Sequence, residues 1–236
     1  MTVMRSPIAA ASMNASGARR VILALATVAA FGAGAAEQAI NVADLKARAA
    51  AGDKTATRQL ADMYYTGRGG VDQDFREAAH WYQKLARLGD ARAQTSLGLM
   101  YARGYGVKKN LQVAHRYWSF AAAQNDPGAQ FNLGLTYALG EGVSQDYERA
   151  AEWYKMAASR GHVQAQHNLG MLYRLGQGVE RDPLRAYFWI KVAALQGDEL
   201  ARDTVATAAA DLTPAQIEEG NAEAKAWMEK ARTLRR

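Results

Sequence analysis

The chain has 236 residues, with 29 Lys and Arg against 23 Asp and Glu, a formal charge of +6, and no cysteine. The missing cysteines exclude disulfides, thiolate metal ligands, a lipidated-cysteine anchor and thiol catalysis. Four prolines and 21 glycines in an Ala-rich background point to helices punctuated by tight turns rather than to strands.

Residues 1–36 read as a signal peptide. Arg19 and Arg20 precede the apolar run Val21 to Phe31, and small residues follow up to Ala36. This is the secretory pattern, and the run is short for a spanning helix. Cleavage after Ala35 or after Ala36 would leave a periplasmic or secreted protein of a Gram-negative bacterium, with no membrane insertion once the signal is gone. Residues 1–36 hold three arginines and no acid, so the charge excess of the remainder is small. With no basic stripe, nucleic acid is not expected as a partner.

Residues 37–55 form a predicted N-terminal capping helix, and residues 56–199 repeat. Leu97, Leu133 and Leu169 are 36 apart, as are Tyr101, Tyr137 and Tyr173. Leu60 and Tyr64 lie 37 before Leu97 and Tyr101, because Gly69-Gly70 lengthens the first loop. Asp74, Asn110, Asp146 and Asp182 recur at the start of each second helix, then Ala78, Ala114, Ala150 and Ala186, then the aromatics Trp81, Tyr117, Trp153 and Trp189. Gly89, Asn125, Gly161 and Gly197 close the units.

Each unit predicts two helices. Ala129, Leu133 and Tyr137 stand four apart and share the buried face of the first. Gly134 costs about 1 kcal/mol inside a helix, which predicts the close approach of another helix backbone. Gly140 ends the helix, Val143 plugs the corner, and Asp146 caps the second helix. In residues 200–236 one more first helix precedes a longer terminal helix opened by Thr213 and Pro214, with Trp227 packed on the last unit.

The run L-G-x-x-Y-x-x-G-x-G-V-x-x-D-x-x-x-A-x-x-W-x-x-x-A-A-x-x-G resembles the Sel1-like repeat, a tetratricopeptide-related helical repeat, over residues 56–198. Ala61, Asn110, Tyr117 and Pro183 depart from it. The resemblance implies an all-α fold, an α-solenoid (α/α superhelix) of four helix-loop-helix repeats with a half-repeat N-terminal cap and C-terminal capping helices. It also implies a non-catalytic, monomeric scaffold or regulator that binds a protein or peptide segment.

Chemistry-bearing motifs are absent. The Gly-x-Gly pairs follow helices and lack Gly-Lys-Ser/Thr, and no His-Glu-x-x-His, Ser-x-x-Lys or Gly-x-Ser-x-Gly occurs. No catalytic residue, metal site or cofactor is predicted. The aromatics fall in strict register, which predicts core packing rather than glycan stacking. The alternative role is a cell-wall-associated enzyme or a glycan- or peptidoglycan-binding protein, which needs a carboxylate pair or exposed aromatics in a cleft.

Candidate binding positions lie on the first helices, away from Leu133 and its equivalents. Gln59, Ser96, Asn132 and Asn168 form one row, with Leu99, Leu135 and Met171 opposite the seam and Phe131 and His167 beside them. In related superhelical repeats the first helices line the concave face. Amides beside apolar side chains suit an extended peptide there; the alternative is that these residues pack against the next repeat.

Overall fold

A computed structural model describes residues 41–233, and the predicted signal segment lies outside the described residues. Every regular element described is an α-helix. A short helix α1 (Val42–Ala50) is followed by four helix pairs. They are α2 (Lys54–Thr66) with α3 (Phe75–Arg87), α4 (Ala91–Arg103) with α5 (Leu111–Ala123), α6 (Pro127–Leu139) with α7 (Tyr147–Ser159), and α8 (Val163–Leu175) with α9 (Pro183–Leu195). Helices α10 (Glu199–Ala209) and α11 (Pro214–Thr233) complete the chain. Up to α10 each helix packs chiefly on its neighbours in sequence, so no core reaches across the stack. The chain is an α-solenoid.

Local signals set the boundaries. The second helices start at Asp74, Asn110, Asp146 and Asp182, whose side chains accept backbone N–H bonds. Asp53, Asp90, Asp126 and Asp198 cap first helices in the same way. Each second helix ends before a residue of positive φ, which is Asn125 (65°) in the second unit and glycine in the others. Thr213 opens α11 in a reciprocal box with Gln216: the Thr213 N–H donates to Gln216 Oε1 at 2.9 Å, and the Gln216 N–H to Thr213 Oγ1 at 3.3 Å.

The seam inside each unit joins a small residue to a large one. A Cβ on Gly134 would lie 2.6 Å from Tyr154 Cδ1, and one on Gly98 would lie 2.5 Å from Trp118 Nε1. The neighbour is therefore an aromatic ring, not the helix backbone that the sequence suggests. Tyr82, Trp118 and Tyr154 are these buried rings, one residue beyond the aromatics in the predicted ladder. Trp81 is buried too, while Tyr117, Trp153 and Trp189 are half-buried.

A second ladder is polar. Gln94, Gln130 and Gln166 are buried on the first helices, and their amides donate to the carbonyls of Ala86, Ala122 and Ala158 at the end of the preceding second helix. Gln124 and Gln196 then donate to Gln94 Oε1 and Gln166 Oε1. The equivalent residue in the third unit is Arg160, which turns to Met156 O and Asn125 Oδ1. Gln130 Oε1 is left buried without a partner.

At the C-terminal end α11 packs across α9 rather than pairing with α10. Its Gly220 sits over the Tyr187 ring, the Tyr187 hydroxyl donates to Asn221 Oδ1 at 3.0 Å, and Trp227 meets Trp189 edge-on at 6.2 Å. Among the described residues no helix is long and apolar enough to cross a membrane.

Candidate functional site

The candidate residues occupy three parallel rows on the first helices, and each row behaves differently. The first row contacts the capping residue of the next first helix. Arg58 pairs with Asp90, and the Thr95 hydroxyl donates to Asp126 Oδ1 at 2.9 Å. Phe131 stacks on the ring of His162, with centroids 4.5 Å apart and planes at 17°. His167 interacts with Asp198 and lies 3.3 Å from Thr204 Oγ1. Phe131 and His167 are therefore joints between units, and neither forms part of an open face. His167 is buried for this reason.

The second row is split by what the preceding second helix offers. Ser96 acts on the Tyr82 hydroxyl and Asn168 on the Tyr154 hydroxyl, which otherwise makes no hydrogen bond of full geometry. Burial raises the pKa of both phenols, so they stay protonated. At the equivalent place in the second unit stands Trp118, whose indole N–H is already given to Thr95 O at 3.2 Å. Asn132, facing that ring system, is half-buried and its amide bonds to no described residue. Gln59 is exposed.

The third row holds Leu99, Leu135 and Met171. Leu99 and Leu135 are half-buried and meet solvent, whereas Met171 is 7% exposed. Helix α8 carries Met171 and is in contact with α10. Met171 thus joins His167 and Phe131 as packing. The predicted surface contracts to Gln59, Ser96, Leu99, Asn132, Leu135 and Asn168 on α2, α4, α6 and α8.

Three histidines sit where protonation is unfavourable. His162 replaces the aspartate that caps the other first helices of the repeats, and its Nδ1 accepts the Ala165 N–H at 3.3 Å. Burial pushes its pKa down to about 4, opposed by Asp126. Burial also lowers His115, and it lowers His167 against the pull of Asp198. Among the described residues no group of three or more His, Asp or Glu is placed to hold a metal ion.

The glutamine ladder and the Phe131–His162 joint are the polar and aromatic features that sequence reasoning did not single out. The signal for the ladder was the recurrent Ala-Gln pair at Gln94, Gln130 and Gln166.

Comparison with known proteins agrees with this geometry. The family model for the Sel1 repeat matches residues 55–90, 91–126, 127–162 and 163–198, one 36-residue unit after another. The chain is similar to the crystal structure of a Sel1 repeat protein from Oxalobacter formigenes, with 34% identity and a TM-score of 0.68 over 82% of this chain and 78% of that one. It is also similar to c5321, a protective antigen of uropathogenic Escherichia coli, with 27% identity and a TM-score of 0.59. That match covers 83% of this chain and 49% of the antigen, so the chain spans about half its length. Immunity protein Pa5087 of Pseudomonas aeruginosa shares the fold at 22% identity and a TM-score of 0.50, over 93% of this chain and 83% of that one. No curated protein matches the chain. With four contiguous units filling more than half of its length, the chain belongs to the Sel1 repeat family.

Proposed function

We propose that the chain is an exported, non-catalytic scaffold that holds a segment of a partner protein against the first helices α2, α4 and α6. Sel1 repeat proteins typically mediate protein–protein interactions, and the fold is generally a non-catalytic scaffold. The observation that carries the reading is Asn132. Its amide is half-buried and bonds to no described residue, while Leu99 and Leu135 line the adjacent row in part-exposed positions. An extended peptide supplies backbone donors and acceptors for the amide, and apolar side chains for the leucines.

Cross-linking capture from intact envelopes, comparing the native protein with Asn132→Ala and Leu135→Ser, tests the binding face. Loss of the captured protein at an unchanged melting temperature supports it, and unchanged capture by both variants overturns it. Export is tested separately, by mass spectrometry of the protein from its native host. A mature chain starting at Ala36 or Glu37 supports export, and retention of residues 13–35 overturns it.

A further inference from the structure

Charge is distributed unevenly along the stack. Units one, three and four carry five cations against five acids, three against four, and four against three. Unit two, residues 91–126, carries Arg92, Arg103, Lys108, Lys109 and Arg116 against Asp126 alone. All five cations are exposed, and Asp126 is engaged as a helix cap and by Thr95.

Part of this charge is held beside two hollows on the second-helix side. The α4–α5 loop is fixed to the start of α3: Tyr105 stacks on Phe75 with centroids 4.7 Å apart, and a Cβ on Gly106 would lie 2.0 Å from Phe75 O. Lys108 and Lys109 follow directly. One hollow of about 210 Å³ lies between α3 and this loop, lined by Arg76, His80, Gln83, Leu97, Tyr101 and Val107. A second, of about 150 Å³, lies on α5 among Val113, Arg116, Tyr117 and Phe120. Tyr101 from the first and Tyr117 from the second stack at 5.8 Å and 15°, so the hollows adjoin. Phe120 is 53% exposed, a large apolar group left on a cationic surface.

The fourth unit shows that a segment can cover this face. Leu184, Tyr187, Phe188 and Lys191 of α9 lie 108 residues, three repeats, after Arg76, Ala79, His80 and Gln83 of α3. Helix α11 packs on this side of α9, with Gly220 over Leu184 and Tyr187. Its first half carries Glu218, Glu219 and Glu223, and its apolar residues include Ile217 and Trp227. Helix α11 therefore covers the fourth unit's version of a face that stays open in the first, through Gly220, Asn221 and Trp227, while its glutamates stay exposed.

From this we infer that the surface formed by α3, the α4–α5 loop and α5 docks an acidic protein segment bearing large apolar side chains, at a site separate from the first-helix row. Carboxylates meet Arg76, Lys108, Lys109 and Arg116, and each hollow takes an apolar side chain. A phosphate backbone would use the cations but leave the apolar walls and Phe120 unfilled, so a polypeptide is the better match.

The test is fluorescence anisotropy on the full chain with four probes: a peptide alternating Glu and Leu, its Lys–Leu counterpart, a single-stranded oligo-dT, and phosphatidylglycerol vesicles. The expected result is that the Glu–Leu peptide binds at least about tenfold tighter than the Lys–Leu peptide and weakens with salt. Lys108→Glu with Lys109→Glu, and separately Phe120→Ala, should each lower its affinity about fivefold or more, with unchanged circular dichroism. Gln164→Ala, at an exposed position of α8 outside both surfaces, should leave it unchanged. Equal binding of the two peptides, tighter binding of oligo-dT or vesicles than of the Glu–Leu peptide, or indifference to both sets of substitutions overturns the inference.

Discussion

Phe131 of the third unit lies flat on the ring of His162, the residue that caps the next first helix. Where the cap is aspartate, the facing position is polar: Arg58 and Thr95 bond to the carboxylate, and His167 interacts with Asp198. The apolar ring of Phe131 occurs where the cap is an imidazole and not a carboxylate. The two positions thus work as matched pairs, and they set how consecutive units are joined.

The first prediction follows from that matching. His162→Asp alone should place a carboxylate against the Phe131 ring, and Phe131→Thr alone should leave His162 without its stack. Together they recreate the Thr95–Asp126 pair. A double-mutant cycle of melting curves should show a coupling of about 0.5–1.5 kcal/mol, with the double variant more stable than the sum of the singles. Strict additivity would show that the stack is incidental.

A second prediction concerns acid. His162 accepts a hydrogen bond through Nδ1 and must be neutral to do so. Its pKa falls from the ordinary 6.5 to about 4 in the folded state, so the unfolded chain binds the extra proton first. The stability His162 contributes is complete above about pH 6.5 and is lost as pH falls towards 4, up to about 3 kcal/mol. His115 and His167 shift in the same direction and steepen the loss. Thermal melts between pH 7.5 and 4.5 should show the decline, and the Phe131→Thr, His162→Asp double variant should flatten it. A native chain equally stable at both ends of that range would refute the assignment.

Arg160 offers a gain of stability. Arg160→Gln should allow the bond to Gln130 Oε1 that Gln124 and Gln196 make in the second and fourth units. Satisfying one buried acceptor is worth about 0.5–1.5 kcal/mol, or a rise of a few degrees in melting temperature for a chain of this size. A lower melting temperature would mean that the bonds of Arg160 to Asn125 and Met156 matter more than the orphaned oxygen.

Gly134 provides the opposite case. Gly134→Leu forces a side chain into the Tyr154 ring and should cost at least about 1–3 kcal/mol. Gly128→Ala serves as the control, because a Cβ there meets its nearest atom at 3.3 Å, and better helix propensity should roughly offset that contact. If Gly134→Leu melts at or above the native temperature, the seam is less tightly filled than its geometry states.

The 36-residue period made the fold legible, because register, caps and turn glycines all recur with it. The finer choices turned on contacts between units. Trp81 and Tyr82 are both aromatic neighbours on one helix, and Gly98 and Gly134 decide that positions 82, 118 and 154 fill the seam. A helical wheel puts Phe131 and His167 on a free side, but it contains no neighbouring helix, and that neighbour brings His162 and Thr204 against them. Met171 was misread for the same reason. The buried glutamines were overlooked because amides suggest a surface until the carbonyls of Ala86, Ala122 and Ala158 are seen above them.

Contacts made mainly between sequence neighbours have a mechanical consequence. A pull on the two ends of the stack is carried in series, through every joint in turn, with no long-range clamp to share it. Each 36-residue unit that gives way frees roughly 120 Å of extended chain, less its folded spacing. Under tension the protein would lengthen in near-equal steps and stay bound at units still folded, as a tether that yields without releasing what it holds.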